Sequence, residues 1–311
     1  MDHDHSYKLL FSHPEMVADL IRGFVREEWV EHLDFSSLEK VSGSYIADDL
    51  REREDDVIWR VRWGQEWLYV YLLIEFQSTV DRFMAVRILA YLGLLYQDLI
   101  RMGQLSSAGR LPPVLPIVLY NGNRRWDAPV EVADLIVPAP KGLDAYSPRL
   151  KYLLLDEGSF ADSELEPLRN LVAVLFRLEN SLVIDDVKRV LPVLVSWLES
   201  PEQTSLRRAF TVWLKRVFLP GRMPGVEFGS INDLQEVQSM LAERVTEWTE
   251  QWERQGILKG EAIFLLRMLE SRFGPLDDVY RNRILEADSE TLLQWGERVL
   301  SAPSAAQLFD R

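Results

Sequence analysis

The stretch from residue 55 to residue 77 limits the fold most strongly, because it has the pattern of two β-strands joined at Gly64. The first strand begins at an acid, Asp56, and is rich in β-branched and aromatic residues. The second strand, residues 67–77, is almost continuously apolar and carries a carboxylate, Glu75, near its end. Antiparallel pairing around Gly64 predicts that Asp56 and Glu75 meet at one edge of a sheet.

Two carboxylates at the edge of an apolar sheet suit a hard divalent cation, which prefers oxygen ligands. Such an ion polarises a phosphate group and lowers the pKa of a bound water. The structural alternative is a salt bridge from Glu75 to Arg87 or to another cation, since a carboxylate beside an apolar strand requires compensation. Asp55 also competes with Asp56 for the first position, because consecutive residues of a strand point to opposite faces.

Three segments, in the same order, resemble the Rpn/YhgA-like recombination-promoting nucleases, which are also described as putative transposases and belong to the PD-(D/E)XK nuclease superfamily. They are residues 50–59 before and into the first strand, residues 74–78 with a Glu-x-Gln signature, and residues 111–122 around a later strand. The resemblance implies an α/β fold of the PD-(D/E)XK-like (restriction-endonuclease-like) type. In that fold a mixed sheet is flanked by helices, and here a helical C-terminal region follows it.

The resemblance also implies an activity: a Mg²⁺-dependent (or Mn²⁺-dependent) endodeoxyribonuclease that hydrolyses phosphodiester bonds of DNA, in recombination or in a mobile element. Asp56, Glu75 and the backbone carbonyl of Phe76 would bind the metal, and Gln77 would position the attacking water. Most members of the superfamily carry lysine where this chain has Gln77, and a glutamine amide supplies no positive charge. A cation from elsewhere in the chain would therefore have to stabilise the charge that develops in the transition state.

Lys8 and Arg87 are the two candidates for that cation. Lys8 belongs to the motif Asp-x-x-Tyr-Lys at residues 4–8, which resembles an Asp-x-x-Phe-Lys opening of the family and is expected to fold back near the active site. Arg87 lies one turn before Tyr91 on a helix that apolar spacing predicts over residues 80–102. It either reaches the carboxylates or a phosphate, or forms an ion pair at the edge of the helix.

Three further residues are candidates for an auxiliary role: Glu27, Tyr120, and Tyr91 on the same helix face as Arg87. Glu27 lies near the end of a helix that apolar spacing predicts over residues 14–28, and a short strand is predicted further on, over residues 41–47. In some relatives of the superfamily an acid of the first helix assists the metal, and the alternative for Glu27 is a solvated side chain. Tyr120 ends a strand predicted over residues 114–120, close to where ligands bind in open sheets.

The net charge of −14 and the isoelectric point near 4.9 argue against nucleic acid as a partner, because phosphate binding is mostly electrostatic. A bound cation or a local basic face would offset part of this charge. No acid occurs between Thr204 and Val226, and this stretch contains a predicted helix whose outer side carries Arg208, Lys215 and Arg216. These three residues are candidates for DNA contacts, with a solvated helix face as the alternative.

The pattern of helices and loops predicts three parts: a nuclease core over residues 1–160, a helical extension over 161–225, and a long helix with a C-terminal helical module over 226–311. In the last part, apolar residues spaced by three or four between Leu234 and Trp252 suit packing against a partner helix, which predicts a homodimer. The chain contains no cysteine, and we expect no secretory signal. Since no apolar run approaches the roughly 20 residues that span a bilayer, we expect a cytoplasmic protein without a membrane segment.

A second hypothesis is a catalytically degenerate nuclease fold that acts as a DNA- or protein-binding or assembly module. Gln77 and the net charge of −14 favour it. A third, a transposase in the strict sense, would require a third acidic ligand and a DNA-recognition domain, and the sequence reveals neither. Histidine-based acid–base catalysis is not expected, because the four histidines all lie within the first 32 residues.

Overall fold

The computed structural model describes most of the chain. The described residues are 2–41, 56–75, 80–122, 124–138, 140, 142–181, 183–222, 231–242, 262, 264–270, 272–274, 276–277, 280, 283–284 and 287–299. The chain divides into two compact units, Met1–Ser239 and Met240–Arg311. The division into three parts that the sequence suggested stays a prediction.

The first unit is built around one sheet of five strands whose order in space is their order in the chain. The strands are β1 (Leu33–Lys40), β2 (Asp56–Trp63), β3 (Glu66–Glu75), β4 (Val114–Tyr120) and β5 (Leu153–Asp156). Strands β1, β2 and β3 are antiparallel, whereas β3, β4 and β5 are parallel. This mixed α/β architecture confirms the predicted fold class and is consistent with a PD-(D/E)XK-like fold.

The hairpin of β2 and β3 forms at the predicted glycine. Trp63 pairs with Glu66, so the turn consists of two residues. Gly64 has a φ of 61°, a left-handed conformation that glycine adopts without the steric penalty of a Cβ atom. The local sequence therefore fixes the register of the two strands that carry the predicted acids.

Helices cover both faces of the sheet. They are α1 (Asp2–Leu10), α2 (Pro14–Phe24), α3 (Met84–Arg101), α4 (Leu171–Asn180), α5 (Ile184–Trp197) and α6 (Thr204–Trp213), and the chain after α6 continues through a π-helical turn, Leu214–Phe218, to Arg222. Helix α3 connects the parallel strands β3 and β4 as the predicted strand–helix–strand unit.

The two faces of the sheet can be told apart by their buried residues. On the first, the α3 face, Tyr69, Tyr71 and Val118 pack with the apolar side of α3. On the second, the α1 face, the Trp59 indole donates a hydrogen bond to the Phe11 carbonyl oxygen at 3.0 Å, just after α1. Because side chains alternate along a strand and paired residues share a face, these residues assign the positions of β2, β3, β4 and β5 to one face or the other.

Two elements differ from the sequence-based expectation. Helix α2 ends at Phe24 and not at residue 28, because Val25 adopts an extended backbone with φ −95° and ψ 102°, and a 3₁₀ turn, Glu28–His32, follows. The edge strand is β1, Leu33–Lys40, whereas a strand was predicted over residues 41–47. Only Val41 of that predicted strand lies within the described residues.

The second unit contains a small apolar core of its own. Its buried residues are Ala262, Leu265, Leu269, Ile284, Leu292, Trp295 and Val299. Residues 234–242 are helical, as the prediction of a long helix requires, but residues 243–261 lie outside the described part of the chain, and the predicted dimer contact lies mostly there. Among the described helices, none has both the length and the apolar character needed to cross a lipid bilayer.

Candidate active site

The backbone register brings the positions of Asp56 and Glu75 close together. Asp56 pairs with Leu73, and Glu75 follows two residues later on β3, so both positions belong to the α3 face of neighbouring strands. Such diagonal neighbours lie roughly 7–8 Å apart. The side chains of Asp56 and Glu75 lie outside the described residues, as do Asp55, Phe76 and Gln77 entirely. Their roles as metal ligands and water-positioning group therefore stay predictions.

The ends of the three parallel strands meet at the same edge of the sheet, which we call the carboxyl edge. Glu75 pairs with Tyr120, and Tyr120 pairs with Asp156, so these three positions stand side by side on the α3 face. In open sheets with parallel strands, ligands bind outside this edge. The predicted site residue Tyr120 thus lies beside the position of Glu75.

Tyr120 is fully buried, and no hydrogen-bond partner for its hydroxyl occurs among the described residues. The Trp126 ring packs edge-on against the Tyr120 ring, with centroids 4.9 Å apart. Burial, followed by the charge of Asp156, raises the pKa of the Tyr120 phenol. A buried hydroxyl without a partner is costly, which makes Tyr120 a candidate for an interaction with a bound group.

Gly122 leaves the space that Tyr120 occupies. A Cβ atom built on Gly122 would lie 2.0 Å from the Tyr120 hydroxyl oxygen. The Gly122→Ala variant is therefore expected to lose about 1–3 kcal/mol of unfolding free energy, because overpacking displaces buried groups. Urea unfolding at constant pH measures this loss.

Gly93 provides the matched control for Gly122. It lies in α3, it is exposed, and a Cβ atom built on it would meet nothing within 4 Å. We expect Gly93→Ala to stabilise the protein by about 0.5–1 kcal/mol, since alanine is the better helix former. Equal urea midpoints for Gly122→Ala and Gly93→Ala would contradict the predicted clash between a Cβ atom at residue 122 and the Tyr120 side chain.

Asp156 is the best anchored acid of the carboxyl edge. The Arg125 Nη1 atom donates to its Oδ1 oxygen at 2.8 Å, and the backbone N–H of Trp126 donates to its Oδ2 oxygen at 3.1 Å. Asp156 is 8 % exposed, whereas the Arg125 side chain is 55 % exposed. The loop after β4 thus folds back over the carboxyl edge, and sequence analysis did not identify this ion pair.

The structure places Arg87 and Tyr91 near the N-terminal end of α3. Arg87 forms an ion pair with Asp81, with 3.3 Å between Nη1 and Oδ2. This is the ion pair at the helix edge that the sequence left open as an alternative. Tyr91 is buried in the core of the α3 face, 6.0 Å from the Tyr71 ring, and so packs as a core residue.

The segment at residues 4–8 does fold back onto the sheet, but on the α1 face. Lys8 lies close enough to Lys40 that its charge, after burial, lowers the pKa of the Lys40 ammonium. Lys40 also donates to the Ser12 hydroxyl at 2.6 Å, and its register partner is Trp59 on β2. Because Trp59 belongs to the α1 face, Lys8 and the α3-face position of Asp56 are on opposite sides of the sheet.

The remaining predicted site residues lie on the surface. Glu27 is exposed and precedes the 3₁₀ turn, and the described contacts do not bring it to the carboxyl edge. Arg208 and Arg216 are exposed, as a DNA-contacting role would require. Lys215 is partly buried and donates to the Ile231 carbonyl oxygen at 3.0 Å, so it is less accessible than the two arginines.

A buried polar cluster on the α1 face was not foreseen. The Tyr7 hydroxyl lies 3.0 Å from Glu157 Oε2 and 3.2 Å from Glu179 Oε1, and the Asn121 amide donates to the Tyr7 oxygen at 3.2 Å. Burial, followed by the charge of Glu179, raises the pKa of Glu157 well above its ordinary value. Burial also raises the pKa of Glu179, although the nearby Tyr7 and Arg222 lower it in part.

These contacts imply a proton held between the two glutamates. The tyrosine has one hydroxyl proton, so it can donate to only one carboxylate at a time. Glu157 is 0 % exposed, and a negative charge on it would be repelled by one on the half-buried Glu179 beside it. A proton on this pair relieves that repulsion. Within the ranges that the structure describes, no group of three acidic, histidine or cysteine side chains could hold a metal ion.

Comparisons with known proteins give the family context. Residues 1–208 match the family model described as "Putative transposase, YhgA-like". Recombination-promoting nuclease RpnA of Escherichia coli K12 is 33 % identical over 120 residues, which are 39 % of this chain and 40 % of that protein. RpnD, a recombination-promoting nuclease of Escherichia coli O157:H7, is 30 % identical over 122 residues, 39 % of this chain and 46 % of that protein.

Two of the similar proteins have names that describe them as inactive. The inactive recombination-promoting nuclease-like protein RpnE of Escherichia coli K12 is 28 % identical over 120 residues, 39 % of each chain. The alignment with RpnA, RpnD and RpnE thus spans less than half the length of each of these relatives. No solved structure matches the chain.

Proposed function

Because this chain belongs to the YhgA-like family of transposase-related proteins, whose relatives include recombination-promoting nucleases, we propose that it is a metal-dependent DNA endonuclease. The observation that carries the proposal is the register of β2 and β3. It places Asp56 opposite Leu73 and Glu75 two residues further along the same face. A role in recombination or in a mobile element is part of the proposal.

The donor set fits a hard divalent cation. Asp56 and Glu75 would supply carboxylate oxygens from neighbouring strands, and the Phe76 carbonyl would add a third oxygen. Such a set suits Mg²⁺ or Mn²⁺ better than a softer ion. When bound, such an ion polarises the phosphate and lowers the pKa of a water ligand. The two carboxylates and the carbonyl would hold the metal at the carboxyl edge.

The other residues act on the water and on the DNA. Gln77 would accept a hydrogen bond from the attacking water through its amide oxygen and so orient the water toward phosphorus. In the hydrolysis the water oxygen forms a new bond to phosphorus and loses a proton to solvent. The bond from phosphorus to the leaving oxygen breaks, and that oxygen takes up a proton.

The test is cleavage of supercoiled plasmid DNA by the full-length wild-type protein with Mg²⁺, with Mn²⁺ and with EDTA. We expect nicked and linear products with either metal and intact plasmid in EDTA, because without the metal nothing polarises the phosphate or lowers the pKa of the attacking water. Cleavage that proceeds equally well in EDTA would rule out the metal-dependent mechanism.

A second candidate function is that of a degenerate nuclease fold that binds DNA or protein without cutting. Three observations favour it: the net charge of −14, the glutamine at position 77, and the similarity to a relative named inactive. Calorimetric titration with Mg²⁺ and Mn²⁺ separates the two candidates. A degenerate site should bind neither ion, whereas the nuclease should bind one of them with loss of the heat signal in Glu75→Gln.

A further inference from the structure

The candidate site has a deficit of positive charge. Asp56 and Glu75 are both acidic, Gln77 is neutral, and the substrate itself is an anion. Hydrolysis of a phosphodiester places further negative charge on the phosphate oxygens in the transition state. A metal ion offsets part of this charge, and a positively charged side chain beside the phosphate would offset more.

Arg125 is the described cation that is fixed to the carboxyl edge itself. Its guanidinium is hydrogen-bonded to Asp156, the residue that stands in register with Tyr120 and, one strand further, with Glu75. Neighbouring strands are about 4.8 Å apart, so the positions of Asp156 and Glu75 are roughly 10 Å apart along the edge. A bound phosphate and a long arginine side chain together span such a distance.

The Arg125 guanidinium is held by Asp156, while the side chain stays partly accessible to solvent. Asp156 is buried and also accepts the backbone N–H of Trp126, so its carboxylate is fixed. A Cβ atom on Gly158 would lie 2.2 Å from Arg125 Nη2, so the guanidinium rests directly on this glycine. Arginine has five N–H donors, and the bond from Nη1 to Asp156 leaves others directed elsewhere.

The other cations considered for this role are placed less favourably. Arg87 is paired with Asp81 at the start of α3. Lys8 lies on α1, whose described contacts are with the α1 face, beside Lys40. Arg125, in contrast, is bonded to Asp156 at the carboxyl edge, on the α3 face, and its side chain is half-exposed.

We propose that Arg125 contacts the scissile phosphate and stabilises its developing charge, and that Asp156 positions the Arg125 guanidinium for this contact. This inference rests on the proposed nuclease function. The position of Tyr120 lies between those of Glu75 and Asp156 along the same edge.

The experiment compares four variants of the full-length protein in plasmid cleavage with Mg²⁺: Arg125→Ala, Arg125→Lys, Asp156→Asn and Arg110→Ala. Arg125→Ala is expected to lower kcat about 100-fold, as for the loss of one donor to a transition-state oxyanion. It should also raise KM several-fold, because one contact to the phosphate of the bound DNA is lost. Arg125→Lys should lie between the wild type and Arg125→Ala, because lysine keeps the charge without the planar fork. Asp156→Asn should lower kcat about tenfold through loss of the anchor.

Arg110→Ala is the matched control, because Arg110 is an exposed arginine of the loop before β4, at the opposite end of that strand from Tyr120. It should remain within about twofold of the wild type, since surface substitutions are usually nearly neutral. Two readouts separate contact from structure. Guanidinium ion at concentrations too low to unfold the protein should restore part of the Arg125→Ala activity, and the salt slope of DNA binding in EDTA should fall by about one.

Different results would contradict the Arg125 inference and the proposed nuclease function. If Glu75→Ala is inactive while Arg125→Ala cleaves within about twofold of the wild type, the Arg125 inference is wrong and the nuclease proposal stands. A second outcome is an inactive Arg125→Ala variant that guanidinium ion does not rescue and whose DNA binding has the same salt slope as the wild type. Arg125 would then have only a structural role, and the inference would be wrong. If the wild type does not cleave DNA, the nuclease proposal fails. If, in addition, Arg125→Ala binds DNA with the same salt slope as the wild type, Arg125 does not contact a phosphate and the inference fails as well.

Discussion

The Asp56→Ala and Glu75→Ala variants are each expected to cleave plasmid DNA at least about 10³-fold more slowly than the wild type in Mg²⁺. This factor corresponds to roughly 4 kcal/mol of lost transition-state stabilisation, the scale on which a bound metal acts on a phosphoryl group. The physical reason is that both carboxylates belong to one metal site, so removal of either one leaves an incomplete ligand set. Initial rates of plasmid nicking at saturating Mg²⁺ measure the effect.

Two controls make this experiment specific. Glu66→Ala removes an acid from the opposite end of β3, where Glu66 pairs with Trp63, and should leave the cleavage rate within about twofold of the wild type. Asp55→Ala tests the competing acid, which occupies the other face if the strand extends to it. Wild-type rates in Asp56→Ala combined with loss of activity in Asp55→Ala would reassign the first ligand, and wild-type rates in both Asp56→Ala and Glu75→Ala would remove the mechanism.

The second large effect concerns stability and pH, and it arises from the buried cluster of Tyr7, Glu157 and Glu179. Burial raises the pKa of both glutamates, so the folded state binds more protons than the unfolded state between the unfolded and folded pKa values. Stability from these protons is fully present below the unfolded pKa of about 4.3 and is lost as the pH rises through the folded pKa. This sign is opposite to that of an ordinary salt-bridged carboxylate.

Glu157→Gln should therefore become more stable relative to the wild type as the pH increases. Glutamine keeps the size of the side chain and carries no charge, so the variant avoids an ionised carboxylate in a site that is 0 % exposed. We expect a gain of about 1–3 kcal/mol in unfolding free energy at pH 8, the cost of one uncompensated buried group. The difference between variant and wild type should shrink toward pH 5, and urea unfolding across this range measures it.

The charged groups around the cluster define the controls. Asp156 also raises the pKa of Glu157, whereas Arg222 lowers that of Glu179, so both belong to the environment that is titrated. Glu31→Gln alters an exposed glutamate of the 3₁₀ turn and should give the same small difference at every pH. A difference between Glu157→Gln and the wild type that does not change between pH 5 and pH 8 would contradict the shared proton.

Local sequence signals predicted the central part of the fold well. The hairpin of β2 and β3, its glycine turn, helix α3 and strand β4 follow from alternation, an apolar helical pattern and turn residues, all of which act over a few positions. Strand β1 was missed, because its sequence, Leu33–Lys40, mixes polar and apolar residues and forms a strand through its pairing with β2. Helix α2 was predicted to be too long, because the apolar spacing continues past Phe24 although the helical backbone ends there.

The sequence by itself determined the neighbourhood of Asp56 and Glu75, because a two-residue turn sets the register of the strands that carry them. Only the tertiary structure decided which distant residues surround the carboxyl edge. Arg125 and Asp156 are 31 positions apart, and Tyr7 and Glu179 are 172 positions apart. Such contacts depend on how helices and loops pack on the two faces of the sheet, and no periodicity within a short window encodes that packing.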